Sequence, residues 1–285
     1  MRHDDMRCKI CQSEKVREIQ DSVRSHDGRK GCIVFKCDNC EAAFLDNNKT
    51  QGELNEYFKR EYWKTVPPVK DPMGYYKARL PIEQFRWERL KEFFTKSSSV
   101  LDVGCASGSF MEYAKDKVGS IEGIEFSDPH VDFAKKHFGL AVKNHSIEKL
   151  PDKPTYDVIC LFQILEHVGD PLQFMKEVHK RLKPNGYVIL ENQNIKDPLL
   201  SVFNLEAYKK FFFFEPLLFC FSEKSMDIML RKTGFSDVVF KSYQHYSIIN
   251  NLHWAFTGHS INKTKASGSD PAIPGSDNDL LGPFL

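Results

Sequence analysis

Val100-Leu-Asp-Val-Gly-Cys-Ala-Ser-Gly-Ser-Phe110 is an apolar, β-branched run containing Asp102 that passes into a small-residue turn carrying Gly104 and Gly108. A strand that stops in such a turn ahead of a helix leaves backbone N–H groups free to face a ligand. The spacing narrows the ligand. A dinucleotide loop reads G-x-G-x-x-G, and here Ala106 and Ser109 stand at the second and third glycine positions. A phosphate loop needs lysine after its last glycine, but Gly108 is followed by Ser109 and Phe110. ATP hydrolysis has no support in this turn.

Outward from the turn, strand and helix patterns alternate at short intervals. Gly123-Ile-Glu-Phe-Ser127 closes a second strand and puts Glu125 about 20 residues beyond the glycine turn, where a carboxylate can accept both hydroxyls of a ribose. Tyr156 to Val168 reads as a fourth strand running into Leu165-Glu-His-Val168, and Phe174 to Leu190 as a helix, a Pro184-Asn-Gly186 stop and a fifth strand. Asp128-Pro129 and Asp170-Pro171 are N-cap and first-turn pairs, and Leu172, Met175, Val178 and Leu182 give the second helix its buried face. A helix over about 222–233 ends at Gly234, and Val238 to Ser242 reads as a further strand. This alternation predicts an α/β fold, a Rossmann-like, doubly wound, mostly parallel sheet.

Taken in order, these stretches resemble the class I S-adenosylmethionine-dependent methyltransferases over about residues 80–243, with the turn matching D/E-x-G-x-G-x-G except for Ala106 at the middle glycine. The resemblance implies a methyl-transfer enzyme whose donor is S-adenosylmethionine. It lays the backbone of Gly104, Cys105, Ala106 and Gly108 along the methionine portion of the donor and uses Asp102 to anchor the ammonium. Glu125 takes the ribose hydroxyls and Phe126 lies on the adenine, which Ser146 and Ile147 border. Phe162 and Gln163 bring backbone carbonyls to the ammonium. His167 is the candidate general base, since an imidazole at the crevice mouth can take a proton from a hydroxyl. Tyr76, Arg79, Asn192, Asn194 and His245 are candidate acceptor contacts, and the Phe211 to Phe219 stretch reads as either an acceptor lid or core.

Cys8-Lys-Ile-Cys11 and Cys37-Asp-Asn-Cys40 are two C-x-x-C pairs separated by 25 residues. In a reducing compartment, four thiolates at this spacing suit tetrahedral zinc, and the segment resembles a zinc ribbon with a hairpin crossing at Ser25 to Lys30. Redox dithiols are the competing reading. Gln12 and Glu41 stand where many such knuckles have glycine. Cys32 reads as a strand residue; Cys105, Cys160 and Cys220 read as small apolar fillers.

The 285 residues carry a formal charge of +1 with 28% charged side chains, so no field of one sign advertises nucleic acid or an acidic membrane. The opening residues lack the apolar core of a signal peptide, and charges interrupt Leu199 to Phe221, so a cytoplasmic protein without a membrane span is expected. The expected organisation is a zinc ribbon at 1–46, a connector at 47–79 with a break at Pro67-Pro68 and a turn at Pro72 to Tyr76, the methyltransferase domain at 80–243, and an extension at 244–285 that is disordered from about 263.

The expected acceptor is a small molecule, a sugar or nucleotide-sugar hydroxyl ahead of a carbon, because bacterial methyltransferases with an N-terminal zinc ribbon are often linked to polysaccharide tailoring. Enzymes acting on exocyclic amines of bases usually carry Asn/Asp-Pro-Pro-aromatic after the fourth strand, and this chain has Leu161 to Leu165 there. An RNA methyltransferase that grips nucleic acid with its ribbon is the alternative, although the first 50 residues hold ten Lys or Arg against nine Asp or Glu. A non-catalytic scaffold is the third reading. Oligomeric state is not legible.

Overall fold

The computed structural model describes residues 6–21, 23, 32–46, 49–65, 69–244 and 247–261. In chain order it forms β1 (Val16–Gln20), β2 (Val34–Cys37), β3 (Ala43–Leu45), α1 (Gln51–Arg60), α2 (Tyr62–Thr65), α3 (Pro72–Leu90), β4 (Ser99–Val103), α4 (Ser109–Ala114), β5 (Ser120–Ile124), α5 (Asp128–Phe138), β6 (Ala141–Lys143) and β7 (Tyr156–Phe162). There follow α6 (Pro171–Arg181), β8 (Leu182–Glu191), α7 (Pro198–Ser201), α8 (Glu206–Phe212), β9 (Phe219–Cys220), α9 (Glu223–Lys232) and α10 (Ile248–Thr257). The chain divides into two compact units, one of residues 50–165 and 173–191, the other of residues 1–49, 166–172 and 192–285.

The first unit holds a five-stranded parallel sheet in the order β6-β5-β4-β7-β8. Strands covered on both faces read as unbroken apolar runs, and Val100, Leu101 and Val103 of β4 and Val158 to Leu161 of β7 are buried accordingly. Asp102 interrupts that run between Gly123 of β5 and Cys160 of β7. This is the expected α/β architecture, with the glycine turn following the central strand.

α3 runs without interruption from Pro72 to Leu90, so the turn expected at Pro72 to Tyr76 is instead a helix start, and positions 79 and 80 lie inside one helix. Its cause is local: Asp71 accepts the Gly74 N–H (2.7 Å) as N-cap, and Pro72 takes the first-turn position where it loses no hydrogen bond. On α5 the cap is Ser127 rather than Asp128, which joins the first turn with Pro129. Pro184-Asn-Gly186 does not separate helix from strand. β8 begins at Leu182 opposite Tyr156, and its register jumps so that Tyr187 meets Val158; the four residues 183–186 face Asp157 alone as a bulge, with Asn185 at φ 62°.

The second unit holds an antiparallel sheet β1-β2-β3-β9, whose first two strands form the hairpin expected between the cysteine pairs. Cys32 precedes β2 instead of lying in it. The Phe-rich stretch is core: Leu199, Tyr208, Phe212, Phe213 and Leu217 pack with Val34, Leu45 and Trp254. Val238 to Ser242 forms no strand, and Val239 is 73% exposed. Its β-branched composition is only a propensity; the segment pairs with no strand of the described residues, and Asp237 at φ 48° turns the chain just before it. The expectations for Ser25 to Lys30, Pro67-Pro68, His245 and the tail from 263 lie outside the described residues. Among the described residues no helix is long and apolar enough to cross a membrane.

Candidate active site

The carboxyl edge of the parallel sheet brings two buried carboxylates to the same turn. Asp102 is the penultimate residue of β4, and Glu125 follows directly on β5. Glu125 holds the turn itself: Oε2 accepts the Ala106 N–H (3.0 Å) and Oε1 the Ser127 N–H (2.8 Å). Ala106 sits at φ 48°, in the left-handed region. A side chain there costs about 1–2 kcal/mol, and the charge-assisted bond from Glu125 offsets it, which is how alanine stands where the resembling motif has glycine. Gly108 has φ 74° and caps α4; a Cβ on it would lie 2.6 Å from Leu140 Cδ1. A Cβ on Gly123 would press on Met111 and Cys105, at 2.5 and 2.6 Å. The turn is therefore close-packed, and the N–H groups expected to be free are used within the protein: Gly104 and Cys105 donate to the Ile124 carbonyl, Gly108 to that of Cys105 and Ala106 to Glu125.

Burial, with Glu83 adding to it, pushes the Asp102 carboxyl up to about 8 against the opposing pull of Arg86. Burial also raises Glu125, opposed by the amides of Ser127 and Ala106 and by the Trp63 indole. Beside Asp102 lies a charge network within the same unit. Arg86 clamps Glu191 through two bonds (2.9 and 2.8 Å) and pairs with Glu83, which also meets Arg79 (3.3 Å) and the Ser109 hydroxyl (3.1 Å). Burial works against the Arg86 charge, but Glu83 and Glu191 overcome it and raise its pKa. The Arg86 guanidinium lies 4.1 Å from the centre of the Phe162 ring. Gln163, at φ 59°, donates its N–H to the Glu191 carbonyl (2.8 Å). Phe126 is half-buried and its carbonyl accepts Asn144 Nδ2 (2.8 Å); Ser146 precedes the 3-10 turn Ile147–Lys149.

Sequence reasoning missed a second layer under the turn. Ser107 Oγ lies 2.8 Å from the Pro72 carbonyl and 2.7 Å from His130 Nδ1. A carbonyl only accepts, so the hydroxyl hydrogen goes to Pro72 and His130 must donate from Nδ1. His130 Nε2 is then the unprotonated nitrogen, buried with no partner among the described residues, and burial lowers this histidine to about 4. Trp63 lies on its ring, centroids 3.7 Å apart, with Tyr75 edge-on to both. The only sequence signal was a histidine and a tryptophan at otherwise apolar positions. The Arg86 network had a similar one, charged residues on the buried face of α3.

The remaining candidates fall in the second unit, except Tyr76, whose ring packs on Phe138 (4.6 Å), and Arg79. His167 directs Nδ1 at the Pro216 carbonyl (2.6 Å), which fixes it as the Nδ1–H tautomer, and burial lowers it to about 4. Glu166 is buried and accepts from Asn192 Nδ2. Asn194 bridges to Phe221.

The four cysteine sulfurs of Cys8, Cys11, Cys37 and Cys40 lie within 4.8 Å of one another, with Cys8–Cys40 and Cys11–Cys37 at 3.5 Å. Sulfurs bound to one zinc at about 2.3 Å stand about 3.8 Å apart, so the donor set and its spacing fit a tetrahedral metal. The hydrogen bond between Cys8 and Cys40 pulls the Cys8 thiol below its usual range. Gln12 and Glu41, each following a pair, take φ 68° and 67°, the left-handed geometry these knuckle turns demand.

The family model of a methyltransferase domain matches residues 76–239. The chain belongs to this methyltransferase family. It is an S-adenosylmethionine-dependent methyltransferase with a Rossmann-like sheet. The methyltransferase is 29% identical over 171 residues to the ubiquinone biosynthesis O-methyltransferase of Hydrogenovibrio crunogenus, covering 56% of this chain and 68% of that protein. It is 28% identical over 211 residues to the tRNA U34 carboxymethyltransferase of Pseudoalteromonas atlantica, covering 66% of this chain and 62% of that one. A solved SAM-dependent methyltransferase from Archaeoglobus fulgidus aligns with TM-score 0.48 at 18% identity, over 63% of this chain and 81% of that one. These relatives carry different acceptors in their names, so the expectation of a sugar is not a property of the family.

Proposed function

We propose that this methyltransferase transfers the methyl group to a hydroxyl of a small acceptor, a sugar or nucleotide-sugar in the first instance, with a carbon acceptor less favoured. The donor half rests on one observation: two buried carboxylates, Asp102 and Glu125, meet a left-handed glycine-rich turn at the carboxyl edge of the sheet. Bound S-adenosylmethionine supplies a methyl already activated on a sulfonium, so alignment is the main requirement. Asp102 holds the ammonium, with the carbonyls of Phe162 and Gln163 beside it. The backbone of Gly104, Cys105, Ala106 and Gly108 lines the methionine portion. Glu125 accepts the ribose hydroxyls, while Phe126 and Ser146 border the adenine. His167 would serve as the base for the acceptor hydroxyl, through the Nε2 left unprotonated by the Nδ1–H bond to Pro216. Cys8, Cys11, Cys37 and Cys40 hold a structural zinc.

Two observations favour a small acceptor over RNA. The relatives include proteins named O-methyltransferases, and the ribbon region carries almost no net charge, whereas phosphate binding calls for a basic stripe. The tRNA enzyme among the relatives keeps RNA as the alternative. The test is mass spectrometry of nucleotide-sugars, small phenols and small RNAs after incubation with the protein and isotope-labelled donor. One labelled methyl on a hydroxylated small molecule is expected; label confined to RNA overturns the acceptor class.

A further inference from the structure

The cysteine knuckles and the Glu166–His167 pair are joined by a short run of backbone bonds, all inside the second unit. Leu218 is the link: its carbonyl accepts the Leu45 N–H of β3 (3.0 Å), and its own N–H donates to the Glu166 carbonyl (2.8 Å). Two residues before it, the Pro216 carbonyl receives His167 Nδ1 (2.6 Å). Just after it, β9 pairs with β3, Phe219 opposite Phe44 and Cys220 opposite Ala43. β3 itself starts three residues beyond Cys40.

α9 clamps this assembly at both ends. Its N-cap, Ser222, donates from Oγ to the carbonyl of Cys40 (2.9 Å) in the second knuckle, with both residues buried. Its last residue, Lys232, donates from Nζ to the carbonyl of Ile10 (3.0 Å), which lies between Cys8 and Cys11 in the first knuckle. Both knuckles are thus tied to one helix that follows directly on β9, and the residues just before β9, Pro216 and Leu218, carry the bonds that orient Glu166 and His167.

The geometry points to the four-cysteine centre as a positioning device for Glu166 and His167: metal ligation fixes the knuckles, and through β3, β9 and α9 it fixes the carbonyl that sets the His167 tautomer. This role rests on the zinc and His167 readings above. Metal and clamp stabilise the same arrangement, so the coupling is reciprocal. Loosening the clamp must loosen the metal.

The test uses the full chain, zinc-loaded and after chelation, with 15N-labelled histidine. In the loaded protein the His167 resonances report a protonated Nδ1; after chelation they move toward the average of exchanging tautomers, and the Leu218 amide exchanges at least tenfold faster. Affinity for S-adenosylhomocysteine stays within about twofold, because the turn that holds it lies in the other unit. With zinc bound, Ser222→Ala and Lys232→Met each release metal to a competing chelator several-fold faster than wild type; the second leaves the α9 cap intact. An unchanged His167 signature after chelation, or wild-type metal retention in both variants, overturns the proposal. So does loss of donor affinity on chelation, which marks global collapse rather than local coupling. A protein that takes up no zinc at all defeats the metal reading itself.

Discussion

Asp102 is a carboxyl in a place that does not support its charge, and this makes it a reporter of the ligand. In the free protein, burial holds its pKa at about 8, so at pH 7 it is protonated. An ammonium arriving beside it restores the ionised form. Binding S-adenosylhomocysteine at pH 7 is therefore expected to release close to one proton, read by calorimetry in buffers of different ionisation enthalpy; Asp102→Asn should abolish the release. Proton-neutral binding by the wild type places the ammonium elsewhere. Glu125 makes a different prediction because it serves both turn and ligand. Glu125→Ala removes the bond to Ala106 N–H along with the expected ribose contacts, and donor affinity should fall by about 1–3 kcal/mol, the scale of hydrogen bonds to a charged group. Unchanged affinity would show that the ribose does not meet this side chain.

Elements explain which of these residues could be read in advance. The positions of Asp102 and Glu125 follow from local rules, an apolar run ending in small residues and a fixed spacing to the next strand end. Ala106 could be read as a departure but not as tolerated, because its left-handed backbone is held by a bond from nineteen residues away. The Arg86–Glu191 clamp spans 105 residues and leaves no local trace beyond charges on a buried helix face. Val238 to Ser242 misled for the opposite reason: strand composition was present, but the segment pairs with no strand of the described residues. Ser107 is the clearest case of element-level wiring, since its hydroxyl ties the start of α3 to α5 beneath the turn. Ser107→Ala leaves the buried His130 Nδ1–H without its acceptor. A loss of about 1–3 kcal/mol in denaturant unfolding is expected for such groups; wild-type stability in the variant would show that α3 and α5 do not depend on this hydroxyl.

At the scale of the molecule, each compact unit contains a neutral histidine that resists protonation, His130 in one and His167 in the other, both lowered to about 4 by burial. A folded-state pKa below the unfolded value near 6.5 means that each contributes stability fully above pH 6.5 and loses it as pH falls through 4. Asp102 and Glu125, raised by burial, act in the opposite sense: the folded state holds their protons at pH values where the unfolded chain has released them. The acid limb of the stability curve is thus a difference between opposing groups, and its shape alone assigns nothing. Substitution isolates one group. His130→Asn retains a donor for Ser107 but does not titrate, so it lacks the acid penalty. Whatever its stability at pH 7.5, it should gain on the wild type as pH falls from 6.5 to 4, by up to about 1.4 kcal/mol per pH unit. Thermal or denaturant unfolding across that range gives the difference directly. A gap that stays constant with pH would mean that His130 is protonated as readily in the fold as out of it, and that burial of Nε2 imposes no penalty on its charge.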